Sequence, residues 1–171
     1  GGRVYAIGGS DTAEGNSLSS VESIAPGEDA WRFEAQTPRA IRQFAGCVLD
    51  DVLYVVGEEG AFAYDPGKGE WDDLPAPEHL PQASYVAAFE GEIWVLGDHH
   101  SKKSWRYSPA ERIWRSGPDL PTPQSWGGAA VLEGRLYVVG GAHWSTRMGW
   151  HIWDDRVFVL RPDWRSTGST E

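Results

Sequence analysis

The chain reads as an all-β protein assembled from about four copies of one four-stranded unit, and three regularities carry that reading. A strand-like segment ending in glycine occurs four times, as Arg3-Val-Tyr-Ala-Ile-Gly-Gly9, Val52-Leu-Tyr-Val-Val-Gly57, Glu92-Ile-Trp-Val-Leu-Gly97 and Arg135-Leu-Tyr-Val-Val-Gly-Gly141. Its ring falls at Tyr5, Tyr54, Trp94 and Tyr137, at intervals of 49, 40 and 43 residues. A second series, Trp31, Trp71 and Trp114, keeps intervals of 40 and 43, with each Trp five residues after Pro26, Pro66 or Pro109. Finally, no stretch sustains the 3.6-residue apolar period of an amphipathic helix. A fixed period of this size marks units that bury their apolar faces by stacking on their neighbours.

The elements follow in order. The first unit, roughly residues 1–43, opens directly on its glycine-ended strand and so lacks an innermost one. Ser10 to Ser20 then supplies a long polar loop, and Pro26-Gly27 a turn before the Trp31 strand. The second unit, roughly 44–83, begins with the small and apolar run Ala45-Gly-Cys-Val-Leu49. The two-residue turn Asp50-Asp51 joins it to the glycine-ended strand, which is the pattern of a tight hairpin. A strand ending near Tyr64, the Tyr64-Asp-Pro-Gly turn and a strand opened by Trp71 complete it. The third unit, roughly 84–125, repeats this with Tyr85-Val-Ala-Ala-Phe89, Glu90-Gly91, a strand ending near Tyr107, Tyr107-Ser-Pro-Ala and Trp114. The fourth, roughly 126–171, has Gly128-Ala-Ala-Val-Leu132, Glu133-Gly134 and a strand over Val157-Phe-Val-Leu160. Its outer strand is shortened, with Trp164 only two residues after Pro162. Small residues suit innermost strands crowded around a central channel, and rings suit the faces between units. At about 25 cal/mol per Å2, a ring burying about 150–250 Å2 contributes on the order of 4–6 kcal/mol before entropy is counted. Four-stranded antiparallel units of this period are the blades of a β-propeller.

Composition narrows the partners. The 171 residues carry a formal charge of −10 and a pI near 4.9, and the densest basic cluster is Lys102-Lys103 with Arg106. Phosphate backbones are held by Lys and Arg, so nucleic acid is excluded as a partner. There is no 18-residue apolar run, so no membrane-spanning helix is expected. The single Cys47 forms no internal disulfide, and the compartment stays open, leaning to an intracellular one. Propellers close with four to eight blades. Three full periods and a partial fourth are therefore expected to belong to a larger propeller of six or so blades, or to a ring completed by a second copy in a homo-oligomer.

The order of apolar run, Leu-Tyr-Val-Val-Gly-Gly, Tyr-Asp-Pro and then Trp about six residues on resembles the kelch repeat over nearly the whole chain. The double glycine is intact at Gly8-Gly9 and Gly140-Gly141 but reads Gly57-Glu58 and Gly97-Asp98 in the middle units. The resemblance implies a kelch-type β-propeller whose rim loops bind a protein or peptide, such as the substrate-binding part of a ubiquitin-ligase adaptor. The alternative it leaves is a carbohydrate-active relative of galactose-oxidase-like or sialic-acid-epimerase-like proteins. In peptide-binding kelch propellers an Arg-Ser pair often follows a proline before the innermost strand. Here that position reads Pro123-Gln124-Ser125, with Arg39 and Arg42 in the second unit and Pro81-Gln82 in the third. The rim expected from this likeness comprises Arg39, Arg42, Gln82, His99, Gln124, Ser125, Trp126, His143 and Trp144.

Catalytic signatures are missing. There is no phosphate-binding loop, no Gly-x-Ser-x-Gly and no His-Glu-x-x-His, so no catalytic residue, metal ligand or cofactor is assigned. Cys47 falls on an innermost strand as a small core residue. His99-His100, His143 and His151 lie on comparable loops, but adjacent histidines rarely ligate one ion together, and they read as solvated. Asp50-Asp51, Asp72-Asp73 and Asp154-Asp155 read as a turn, a strand exit and a strand entry rather than acid–base pairs. The stretch Ala142 to Trp153 holds three Trp, two His, one Arg and the only Met, and is expected to interrupt the fourth unit as a loop. Trp and Arg dominate binding hot spots. Recognition and packing against a neighbour both remain open for it.

Overall fold

A computed structural model describes residues 2–11, 15–79, 82 and 84–161. Pro81, part of the polar loop after Ser10, and the shortened outer strand through Trp164 lie outside the described residues. Fourteen strands and no helix are found among those described. They form four antiparallel sheets in sequence order, the blades of a propeller. Blade 1 contains β1 (Val4–Ile7), β2 (Val21–Ile24) and β3 (Arg32–Phe33). Blade 2 contains β4 (Ala45–Leu49), β5 (Val52–Gly57), β6 (Gly60–Asp65) and β7 (Glu70–Asp73). Blade 3 contains β8 (Tyr85–Phe89), β9 (Glu92–Leu96), β10 (Ser104–Ser108) and β11 (Ile113–Ser116). Blade 4 contains β12 (Gly128–Leu132), β13 (Arg135–Ser145) and β14 (Trp150–Leu160). The innermost strands β4, β8 and β12 lie side by side.

Register explains why the repeats look alike. The ring of each glycine-ended strand stands opposite a small residue of the innermost strand, as Cys47 with Tyr54, Ala87 with Trp94 and Ala130 with Tyr137. One side of every inner hairpin is thus thin enough for blades to close on the channel. The hairpins turn through Asp50-Asp51, Glu90-Gly91 and Glu133-Gly134, all with φ between 49° and 73°. Two consecutive left-handed residues match the right-handed twist of the flanking strands.

Blades are glued by three apolar clusters. Tyr5 and Ile7 pack on Leu53, Val55 and Tyr64 between blades 1 and 2. Tyr54 and Val56 meet Val86, Ile93, Val95 and Tyr107 between blades 2 and 3, and Trp94 meets Leu136 and Val138 between blades 3 and 4. A polar latch runs alongside. The indole N–H of Trp71 donates to the Ala35 carbonyl at 2.8 Å, and that of Trp114 to the Pro75 carbonyl at 2.5 Å. Each Trp therefore ties its blade to the segment leaving the previous one. The expected burial of every ring needs correction. Tyr54 and Trp94 are buried, Trp71, Trp114 and Tyr137 are partly covered, and Trp31, beyond which no described blade lies, is 46% exposed.

Cys47 lines the cluster between blades 2 and 3, and burial pushes its thiol up to about 12. The thiolate is the reactive form. Native protein at pH 8 is expected to react with an aromatic disulfide reagent at least about 100-fold more slowly than denatured protein, as read by release of the coloured thiol. Comparable rates would show that the innermost strand is not packed as described.

Two sequence expectations are overturned in blade 4. Residues 142–153 are not an interrupting loop: β13 and β14 pair continuously from Gly141 opposite Asp154 to Ser145 opposite Trp150, after a bulge between Val139 and Gly141. Asp154-Asp155 consequently lies inside a strand rather than at its entry. The reason is alternation. Ala142, Trp144, His151 and Trp153 share one face of the hairpin and His143, Ser145, Trp150 and Ile152 the other, a period-2 pattern masked by its unusual composition.

Candidate functional site

The glycine-ended strands deliver loops to one rim, and the loop after β9 builds the base of the site. Gly97 adopts φ of 60°, and the buried Asp98 carboxylate accepts the His100 and Ser101 backbone N–H groups at 2.7 and 2.6 Å. Asp98 also lies 3.2 Å from His79 Nε2. An acidic residue in place of the second glycine thus caps its own loop, and Asp98 has no need of the left-handed backbone that Gly9 and Gly141 show at φ of 98° and 117°. Capping presents His99 inward and His100 outward.

Blade 4 supplies the facing wall. The segment before β12 is zipped to the long hairpin by Ser125 N–H to Ala142 O at 2.9 Å and Ala142 N–H to Ser125 O at 2.7 Å. Beneath it lies a buried polar network. Tyr85 OH donates to Gly140 O at 2.8 Å and approaches Gln124 Oε1 at 3.2 Å, while the Gln124 amide donates to Asp154. Arg156 beside Asp154 holds that carboxyl down at about 2. Trp126 takes φ of 60°, a conformation costly for a bulky side chain and concentrated at functional positions. The twist sets its ring 4.2 Å from His99 and 4.4 Å from His151, centroid to centroid. Trp144 packs edge-on to His151 at 5.1 Å, and the Trp144 backbone N–H donates to His99 O at 3.3 Å.

The result is an open cavity of about 480 Å3 lined by Gln43, Gln82, His99, His100, Trp144 and His151. It adjoins a second of about 460 Å3 that shares Gln82 and His100 and adds Glu58, His79, Asp98, Ser101 and Lys103. Of the rim residues expected from sequence, Gln82, His99 and Trp144 line this cavity and Trp126 flanks it. Gln124 and Ser125 are fully buried, so they are corrected from contact residues to the frame that holds the wall. Arg39 and Arg42 lie apart. Arg39 pairs with Asp73 at 3.1 Å over the Phe62 ring, and Arg42 donates to Gly15 O at 3.0 Å. His143 belongs to the opposite face of the hairpin, where its Nδ1 is buried without a partner among the described residues.

Gln43, His100 and His151 are the lining residues not expected from sequence. Gln43 has φ of 52° two residues before β4, the place Trp126 occupies before β12. A shift of one position from Arg42 hid it. His100 was masked by its neighbour, and His151 by reading the hairpin as a loop.

Comparison with known proteins adds the following. The model of the Kelch motif matches residues 1–38. Mouse Kelch-like protein 35 is 31% identical over 149 residues, covering 82% of this chain and 25% of its own length. Human Kelch repeat and BTB domain-containing protein 13 is 33% identical over 126 residues, covering 65% of this chain and 28% of its own. The chain thus spans about a quarter of the length of these curated relatives. The solved structure of YjhT superposes with a TM-score of 0.76 at 14% identity, covering 96% of this chain and 66% of that one.

Proposed function

The chain belongs to the kelch-repeat family of β-propellers, and from that footing we propose that it is a recognition module binding a segment of a protein partner at the rim between blades 2, 3 and 4. One observation carries this: an open cavity walled by half-exposed Trp144, by amides and by three imidazoles, of which His99 is held by a buried bond to Ser125. Exposed aromatic rings on a rigid frame offer contact area at little entropic cost, which is how binding hot spots are built. In a longer protein this module would select the substrate of a ubiquitin-ligase adaptor, a reading supported by relatives whose names couple Kelch repeats to a BTB domain.

The test is selection of a random peptide library on the purified chain. Trp144→Ala is expected to weaken enriched peptides by about 2 kcal/mol, near thirtyfold, with thermal unfolding little changed. Enrichment indifferent to Trp144 and Gln82 substitution, or displacement by galactose or sialic acid instead, would overturn it in favour of another surface or a sugar ligand.

A further inference from the structure

We propose that His99, His100 and His151 form one anion-accepting subsite that takes an Asp or Glu side chain of the bound peptide and grips it more tightly as the pH falls. The inference rests on the peptide-binding reading above and names the chemistry of its central contact.

Three imidazoles share one cavity, with His99 5.1 Å from His151 and 6.2 Å from His100 by ring centroids. The lining otherwise offers the Gln43 and Gln82 amides and the Trp144 ring, and contains no carboxylate, Lys or Arg. The charged groups nearby are already engaged. Asp98 is buried, receives two backbone N–H groups and faces His79, while Glu58 accepts the Gln82 amide. Lys103 pairs with Asp119 at 3.2 Å. Asp98 and Glu58 favour the charged form of His99, but burial and the two neighbouring imidazoles outweigh them, and neither carboxylate lines this cavity among the described residues.

Ser125 Oγ lies 2.7 Å from His99 Nδ1 and 3.1 Å from Ala142 O, so the Nδ1 edge is held by the frame in either tautomer and Nε2 is the ring nitrogen left for a ligand. Burial, then His151 and His100, hold His99 below the ordinary histidine range. An anionic side chain among the rings opposes the last two causes, because an opposite charge within a few ångströms favours imidazolium. Histidine is the side chain whose charge changes between about pH 5 and 8, whereas a Glu carboxylate, titrating near about 4.3, stays ionised over that range. Acidification therefore charges the site and not the ligand. At neutral pH the chain's charge of −10 works against an acidic peptide, which sharpens the contrast.

The experiment repeats the peptide selection at pH 5.5 and pH 7.5. The best acid-bearing peptide and its Gln or Asn isostere are then titrated onto the chain by fluorescence anisotropy at both values. The acidic peptide is expected to bind at least about tenfold tighter at pH 5.5, the equivalent of one unit of pKa displacement on binding, and the isostere to change less than about twofold. In H100Q/H151Q the pH dependence of the acidic peptide should flatten. H100Q alone, at an exposed position, should reduce it and guards against misfolding of the double variant. Equal pH response of peptide and isostere, or a full response in the folded double variant, overturns the subsite. Peptides that bind without regard to pH sink this inference alone, whereas peptides enriched at neither pH sink the recognition reading itself.

Discussion

Replacing Gly141 by Ala is expected to cost about 3–5 kcal/mol and lower the melting temperature by roughly 10 °C, among the largest effects of any single methyl in this chain. Gly141 holds φ of 117°, which L side chains rarely adopt. A Cβ there would stand 2.1 Å from Tyr85 OH, 2.4 Å from Ser125 O and 3.1 Å from Gln124 Oε1. Two of those groups are backbone or buried amide, with no room to retreat. The substitution therefore attacks the Tyr85–Gln124–Asp154 network and the zipper that seats Trp126 at once. Gly149→Ala is the control. Its φ is 74° but its Cβ would meet nothing within 4 Å, so it should cost only about 1 kcal/mol. Calorimetry on the two variants separates close approach from backbone strain: equal melting temperatures would mean that the second glycine serves only to turn the chain.

Trp94→Ala is expected to cost about 3–5 kcal/mol. The residue is fully buried, packs on Leu136 and Val138 across the blade 3–4 interface, and donates its N–H to Phe89 O at 3.0 Å. Tyr137 holds the same place in its own blade, yet is only partly covered, so Tyr137→Ala should cost less than about half as much. Denaturant titration of both variants tests whether the ring series stabilises the fold by filling interfaces. Equal losses would instead place its effect within each sheet.

Much of the architecture was legible from the chain. The interval between Tyr54, Trp94 and Tyr137 is a statement that each blade presents one ring to the next, and the acid- and glycine-containing pairs between apolar runs mark the hairpins with their left-handed turns. The failures have physical causes. The long hairpin was missed because Trp and His alternate there with Ala, Ser and Ile, so neither face reads as apolar. Gln124 and Ser125 looked like ligand contacts because sequence does not distinguish a polar side chain that touches a ligand from one that bonds a buried frame. Gln43 and His151 were missed because a cavity assembled from three loops depends on backbone angles one residue wide. Trp126 was expected on the rim, but nothing in the sequence signals the left-handed backbone that sets its ring against His99 and His151.

The three interfaces succeed one another along the chain, so each blade is held only by its neighbours, as in a one-dimensional array. Blade 4 is buttressed on a single described side. The rim cavity straddles that last joint, with His99 and His100 on one bank and Trp144 and His151 on the other. A ligand spanning it acts as a staple: its binding energy is added to the docking of a terminal blade, by RT ln(1 + [L]/Kd). Occupancy of the rim and cohesion of the array are in this way one equilibrium, and a partner present at about 100 times its Kd would add about 2.7 kcal/mol to the protection of the long hairpin.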